Sequence, residues 1–187
     1  MRIKTQLAKG LAVLMGLVAL SGCSRRQVSQ LANEMTFSLD GISEVTIAYD
    51  EEQVVFYESE GSKLIVKEYM TENKSSYYAK AHQSGGGIQI SEGGKPLFKD
   101  GFSRSIEVYI PAFYHENLTV TTTNGNLDFS GLDLSLNTLR IDSAAGTIRL
   151  SRVKAQKIHL STTSGVFDVD DLNADTIRID TTRGSFS

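Results

Sequence analysis

Four segments of the chain superimpose on a single glycine: LTVTTTNGNLDF from Leu118, LRIDSAAGTIRL from Leu139, IHLSTTSGVFDV from Ile158 and IRIDTTRGSFS from Ile177. Their glycines are Gly125, Gly146, Gly165 and Gly184, spaced by 21, 19 and 19 residues. One apolar column holds Leu118, Leu139, Ile158 and Ile177, and the next holds Val120, Ile141, Leu160 and Ile179. Beyond the glycine stand Leu127, Ile148, Phe167 and Phe186, with a weaker column at Leu132, Val153 and Leu172. Period-two alternation means short strands with one face inward. A unit this short cannot bury its apolar face alone, so successive copies must stack. The spacing fits a parallel β-solenoid of about 19–21 residues and about three short strands per turn. Glycine once per turn suits a corner where the backbone turns left-handed. Thr122, Ser143, Thr162 and Thr181 fill one inward column near that corner, where hydroxyls bond each other or the turn backbone. The rival reading is a set of hairpins, because Asn124-Gly125 is a hairpin signal. The other glycines follow Ala145, Ser164 and Arg183, which do not suit that turn, so the solenoid is favoured.

The half before Leu118 is strand-like but less regular. EVTIAY (44–49), QVVFY (53–57), KLIVKEY (63–69), GIQIS (87–91) and RSIEVYI (104–110) are its clearest strands, and 71–104 is otherwise irregular. Val45, Ile47, Val54 and Phe56 reproduce the spacing of Leu118, Val120, Leu127 and Phe129, so degenerate turns of the same solenoid are expected here. The fold class expected is all-β.

The N-terminus points to export. Arg2, Lys4 and Lys9 precede the ten apolar residues Leu11 to Leu20, a run too short to span a bilayer but suited to a signal peptide. The run ends in LSGC, which resembles the lipobox of bacterial lipoproteins. That resemblance implies cleavage before Cys23, a diacylglycerol on its sulfur and an acyl chain such as palmitate on its amino group. The expected division is a signal peptide over 1–22, a polar tether over 23–35 and a β-domain over 36–187. Ser24 after the cysteine favours the outer membrane if the cell has two. Removing the three basic residues of the signal takes the net charge from −3 to −6, which argues against a nucleic-acid partner. One cysteine excludes a disulfide framework and thiolate metal sites.

The run RSIEVYIPAFYHENLTVTTTNGNLDFSGL, followed by repeated strand-TTxG-strand turns, resembles a bacterial family of domains of unknown function known as "putative adhesin". The likeness covers roughly 38–187 and is strongest from Ile106. It implies a parallel β-solenoid or β-helix, membrane-anchored or exported, and it brings no catalytic residues. The chain stops at Ser187 with the fourth turn incomplete, so the expectation is a truncated sequence or an edge completed by a partner.

Sites of chemistry are scarce. No G-x-S-x-G, H-E-x-x-H or Walker pattern occurs, and no cofactor or metal is expected. DVDDLNAD (168–175) fails as an EF-hand loop because Thr176 and Thr182 stand where glycine and glutamate are needed. Asp128, Arg149 and Asp168 make an outward stripe of alternating sign. Arg140, His159 and Arg178 form a partly basic stripe beside Asp142, Ser161 and Asp180, a candidate surface for an anionic glycan. Tyr77, Tyr78 and Tyr109, all in the irregular half, are candidates for a recognition surface. Asp142 and Asp180 stand two turns apart, about 9.6 Å between backbones, near the roughly 6.5–9.5 Å carboxyl separation of inverting glycosidases. The function expected is a non-enzymatic, lipid-anchored envelope adhesin or scaffold that binds a glycan or an envelope protein. A polysaccharide-processing enzyme and a self-assembling structural protein pairing through the solenoid edge are the alternatives.

Overall fold

The computed structural model describes residues 29–98, 101–133 and 135–187. The signal segment 1–22 and Cys23 lie outside them. Among the described residues, alternating sequences pair into fifteen strands and one 3-10 turn (Ser75–Tyr77), arranged as two sheets around one apolar core. Sheet 1 runs, in spatial order, β1 (Gln30–Ser38), β4 (Lys63–Met70), β7 (Arg104–Pro111), β3 (Gln53–Ser59), β9 (Asn126–Gly131), β11 (Thr147–Leu150), β13 (Val166–Val169) and β15 (Ser185–Phe186). Sheet 2 runs β5 (Lys80–Ser84), β6 (Gly87–Ser91), β2 (Glu44–Ala48), β8 (Asn117–Thr122), β10 (Ser135–Ser143), β12 (Val153–Thr162) and β14 (Leu172–Thr181).

The repeat is a parallel solenoid. Leu118, Leu139, Ile158 and Ile177 are register partners across sheet 2, and Leu127, Ile148, Phe167 and Phe186 across sheet 1. Parallel ladders rule out the hairpin reading. Each turn has two strands instead of three, because Val153 and Leu172 open the long strands β12 and β14 and do not form a third side. The expected degenerate turn is present: Val45 and Ile47 pair with Leu118 and Val120, and Val54 with Leu127. Phe56 stacks on Phe129 with ring centroids 4.0 Å apart.

Spatial order departs from chain order. The turn β6–β7 lies outside β2–β3, so the first turn in sequence is the second in space. Strand β7 fills the slot between β3 and β4, parallel to one and antiparallel to the other. The antiparallel strands β1, β4 and β5 border this end. Strand β1 begins at Gln30, so the segment 23–35 is not a tether throughout. The edge of β4 supplies backbone partners there, and Met35 and Phe37 pack against the core.

The corner glycines need a different explanation from left-handed backbone. Only Gly146 has positive φ, +100°. A Cβ at Gly125 would collide with the Glu52 carbonyl oxygen, and one at Gly146 with that of Gly125. At Gly165 it would lie 2.9 Å from the Gly146 oxygen, and at Gly184 2.5 Å from the Gly165 oxygen. The glycines are there because consecutive corners stack backbone on backbone. The hydroxyl column completes each corner. The N–H groups of Gly125, Gly165 and Gly184 donate to Oγ1 of Thr122, Thr162 and Thr181 at 2.8 Å, while Ser143 Oγ donates to the Ala145 carbonyl at 2.5 Å.

Candidate functional site

The outer face of sheet 2 is polar, and its rows are set by the parallel register. One row runs Gln89, Thr46, Thr119, Arg140, His159 and Arg178; the next runs Ser91, Ala48, Thr121, Asp142, Ser161 and Asp180. Neighbouring strands put row members about 4.8 Å apart, and residues two apart on one strand share a face. Arg140 and Arg178 therefore each reach the aspartate on their own strand.

Five side chains join into one network. Arg140 Nε and Nη2 donate to Asp142 at 2.6 and 2.9 Å. Arg140 Nη1 lies 2.6 Å from His159 Nδ1, and a guanidinium only donates, so Nδ1 accepts. That leaves the proton on Nε2, which donates to Asp180 Oδ2 at 2.9 Å. Arg178 closes the set on Asp180 at 2.7 and 3.3 Å. The hydrogen bond from Arg178, and then that from His159, hold the Asp180 carboxyl below its ordinary range. The stripe is thus a balanced row in which each guanidinium stands beside a carboxylate, not a free basic surface.

The predicted tyrosines do not join it. Tyr109 is on the outer face of sheet 1, stacked on Tyr57 at 5.2 Å, with Lys67 Nζ 4.9 Å from its ring centre. Its hydroxyl donates to Glu107 Oε2 at 2.8 Å, as does that of Tyr69 at 3.0 Å. Burial and then that carboxylate push the Tyr109 phenol up to about 12. Tyr77 lies in the segment between β4 and β5, edge-on to Phe102 at 5.4 Å, and the Tyr78 hydroxyl donates to Asn73. The Asp128, Arg149 and Asp168 stripe is register-paired, with Arg149 3.6 Å from Asp168. His115 Nδ1 lies 2.7 Å from the Ser135 carbonyl.

Sequence reasoning missed a buried ionic cluster at the corner where β2, β3, β6 and β7 meet. Arg104 Nη2 donates to Glu52 Oε1 at 2.8 Å and to Glu92 Oε1 at 2.6 Å, and Nη1 donates to the Tyr77 carbonyl at 2.8 Å. Lys95 Nζ bridges the same carboxylates at 3.2 and 2.7 Å. Nearby, buried Glu68 accepts from Asn33 Nδ2 and the Ala79 N–H, both at 2.8 Å, and from the Tyr49 hydroxyl at 3.2 Å. Burial raises the Glu92 carboxyl. Burial also pushes on Glu52, but hydrogen bonds from Arg104 and Glu92 and the Arg104 charge bring it down to about 2. The one signal available in sequence was Glu68 on the inward parity of β4, where its neighbours Leu64, Val66 and Met70 are apolar. Among the described residues, no group of three His, Cys, Asp or Glu is placed to hold a metal ion.

The family model described as Toastrack DUF4097 matches residues 42–187. Among solved structures, a "putative cell adhesion protein" from Clostridium sporogenes is similar at 9% identity, covering 82% of this chain and 97% of its own, with a TM-score of 0.63. A "putative adhesin" from Parabacteroides distasonis is similar at 13% identity over 82% of this chain and 76% of its own, with a TM-score of 0.47. No curated protein matches the chain in sequence. At such identities the first likeness establishes a shared fold, and no activity passes with it.

Proposed function

The chain belongs to the Toastrack DUF4097 family, and we propose that it is a non-enzymatic binding module, held on the outside of a bacterial membrane by lipid on Cys23. The basic start, the apolar run and LSGC support the anchor. Among the described residues no helix is long and apolar enough to cross a membrane. The words "cell adhesion" in the name of the Clostridium sporogenes protein agree with a binding role.

The observation that carries the reading is the Arg140–Asp142–His159–Asp180–Arg178 network on the outer face of sheet 2. Adjacent guanidinium donors and carboxylate acceptors match a pair of sugar hydroxyls, each of which both donates and accepts. Rows repeating at strand spacing offer this pattern to an extended polymer. The ligand class is therefore a hydroxyl-rich envelope or host glycan. In a glycosidase reading Asp180 is ill suited to be the acid, because Arg178 holds its carboxyl low, opposite to what a proton donor needs.

The test uses the chain from residue 24 onward against a glycan panel, scored for binding and for new reducing ends. Saturable binding to intact polymer is expected, weakened about tenfold in Arg140→Ala and Arg178→Ala, in line with the ~1.5–3 kcal/mol of a charged hydrogen bond. New reducing ends that vanish in Asp142→Asn would overturn it.

A further inference from the structure

Two adjacent large apolar side chains, Leu97 and Phe98, are 97% and 84% exposed. They project from a loop fixed at both sides of its base. On one side Lys95 is ion-paired to Glu92 and Glu52. On the other, Thr71 Oγ1 donates to the Gly101 carbonyl and accepts from the Ser103 N–H, both at 2.9 Å, and the Thr71 N–H donates to the Ser103 carbonyl at 3.1 Å. Phe102, just beyond, packs edge-on to Tyr77. The described residues on either side are thus tied down by their polar groups while Leu97 and Phe98 stand in solvent, the reverse of what solubility favours.

The place of this loop matters. Thr71 follows Met70, whose strand pairs Met70 with Gln30 on one side and with Arg104 on the other. The base of the loop and the first residue of β1 therefore share one end of sheet 1. Between Cys23 and Gln30 stand only residues 24–29, which reach at most about 25 Å when fully extended. Two of those residues, Arg25 and Arg26, suit anionic headgroups.

We propose that Leu97 and Phe98 insert into the interfacial layer of an anionic phospholipid membrane beside the Cys23 anchor, as a second point of attachment that sets how the domain stands on the bilayer. The inference rests on the lipid-anchor reading. Exposed apolar side chains gain by leaving water for the acyl boundary, and a single short tether would otherwise leave the domain free to turn.

The experiment uses the mature lipoprotein reconstituted in phosphatidylethanolamine–phosphatidylglycerol vesicles, with an environment-sensitive fluorophore on Phe98→Cys or, as control, on Ser62→Cys, in the β3–β4 turn at the opposite end of sheet 1. Both positions are exposed, so the fold tolerates the label. Position 98 is expected to show blue-shifted emission and at least threefold less quenching by aqueous iodide, while position 62 stays fully quenched. Equal quenching at the two positions would overturn the insertion and leave the anchor standing. Mass spectrometry of the N-terminal peptide separates the two readings: an unmodified Cys23 would sink the anchor itself. Vesicle binding by the Cys23→Ser chain, lost in Leu97→Asp/Phe98→Asp, would support insertion independently of the lipid.

Discussion

Gly146 and Gly41 both have positive φ, +100° and +71°, yet they face different surroundings. A Cβ at Gly41 would meet nothing within 4 Å, whereas one at Gly146 would enter the Gly125 carbonyl. Gly41→Ala should therefore cost only backbone strain, about 1–2 kcal/mol. Gly146→Ala should cost more, because two corners must also separate. Urea titration of both variants measures the difference. Thr162→Val would leave the Gly165 N–H without its acceptor inside a buried corner, at about 1–3 kcal/mol, read by the same titration. Acid should act through Glu52 and Glu92 with opposite signs. Glu52 is held at about 2 in the fold, below its ordinary 4.5, so its contribution is complete above 4.5 and disappears as pH falls toward 2. Glu92 is raised, so the fold gains as pH falls through that raised value. Thermal melts from pH 7 to pH 2 should show a shallow rise and then a loss. Glu92→Gln should remove the rise. In Glu52→Gln the gap from the native protein should shrink below pH 4.5.

At the scale of the element, the stacked turn is the unit of stability, and a residue's worth depends on whether a turn lies on each side of it. Phe129 is buried and stacked on Phe56. Phe186, on the last turn, stands in the adjacent inward column with Leu127, Ile148 and Phe167; it is nearly half exposed, with Phe167 6.2 Å away. Phe129→Ala should cost about 3–5 kcal/mol, and Phe186→Ala distinctly less. Chemical denaturation of the two variants tests this. The apolar columns of these turns were legible because one residue in two must face the core, whatever the rest of the chain does. The number of strands per turn was not legible, because a bend and a continuous strand can carry the same alternation. The segment 30–35 was not legible as strand because its hydrogen bonds come from the β4 edge, a partner more than thirty residues away.

For the whole molecule, the envelope reading leads to a simple expectation: Cys23→Ser should move the protein from the membrane fraction to the soluble one, by fractionation and blotting. The candidate site was half legible. Arg140, His159 and Arg178 fall in one column by counting, but their neutralisation by Asp142 and Asp180 depends on side-chain reach across and along strands. The tyrosines, grouped in sequence, are separated in space because β7 enters sheet 1 while the Tyr77 segment crosses the corner. The repeat, its register, the inward columns and the places of the glycine corners were all written in the sequence. Each of these is a local or periodic property, readable wherever one face is apolar and the period is constant. The placing of β6–β7 outside β2–β3, and the meeting of Glu52, Glu92, Lys95 and Arg104 in one buried corner, came from the folded chain alone. Those residues lie up to 52 positions apart in a stretch without a period. What brings them together is the closing of a turn out of chain order, which leaves no trace in local alternation.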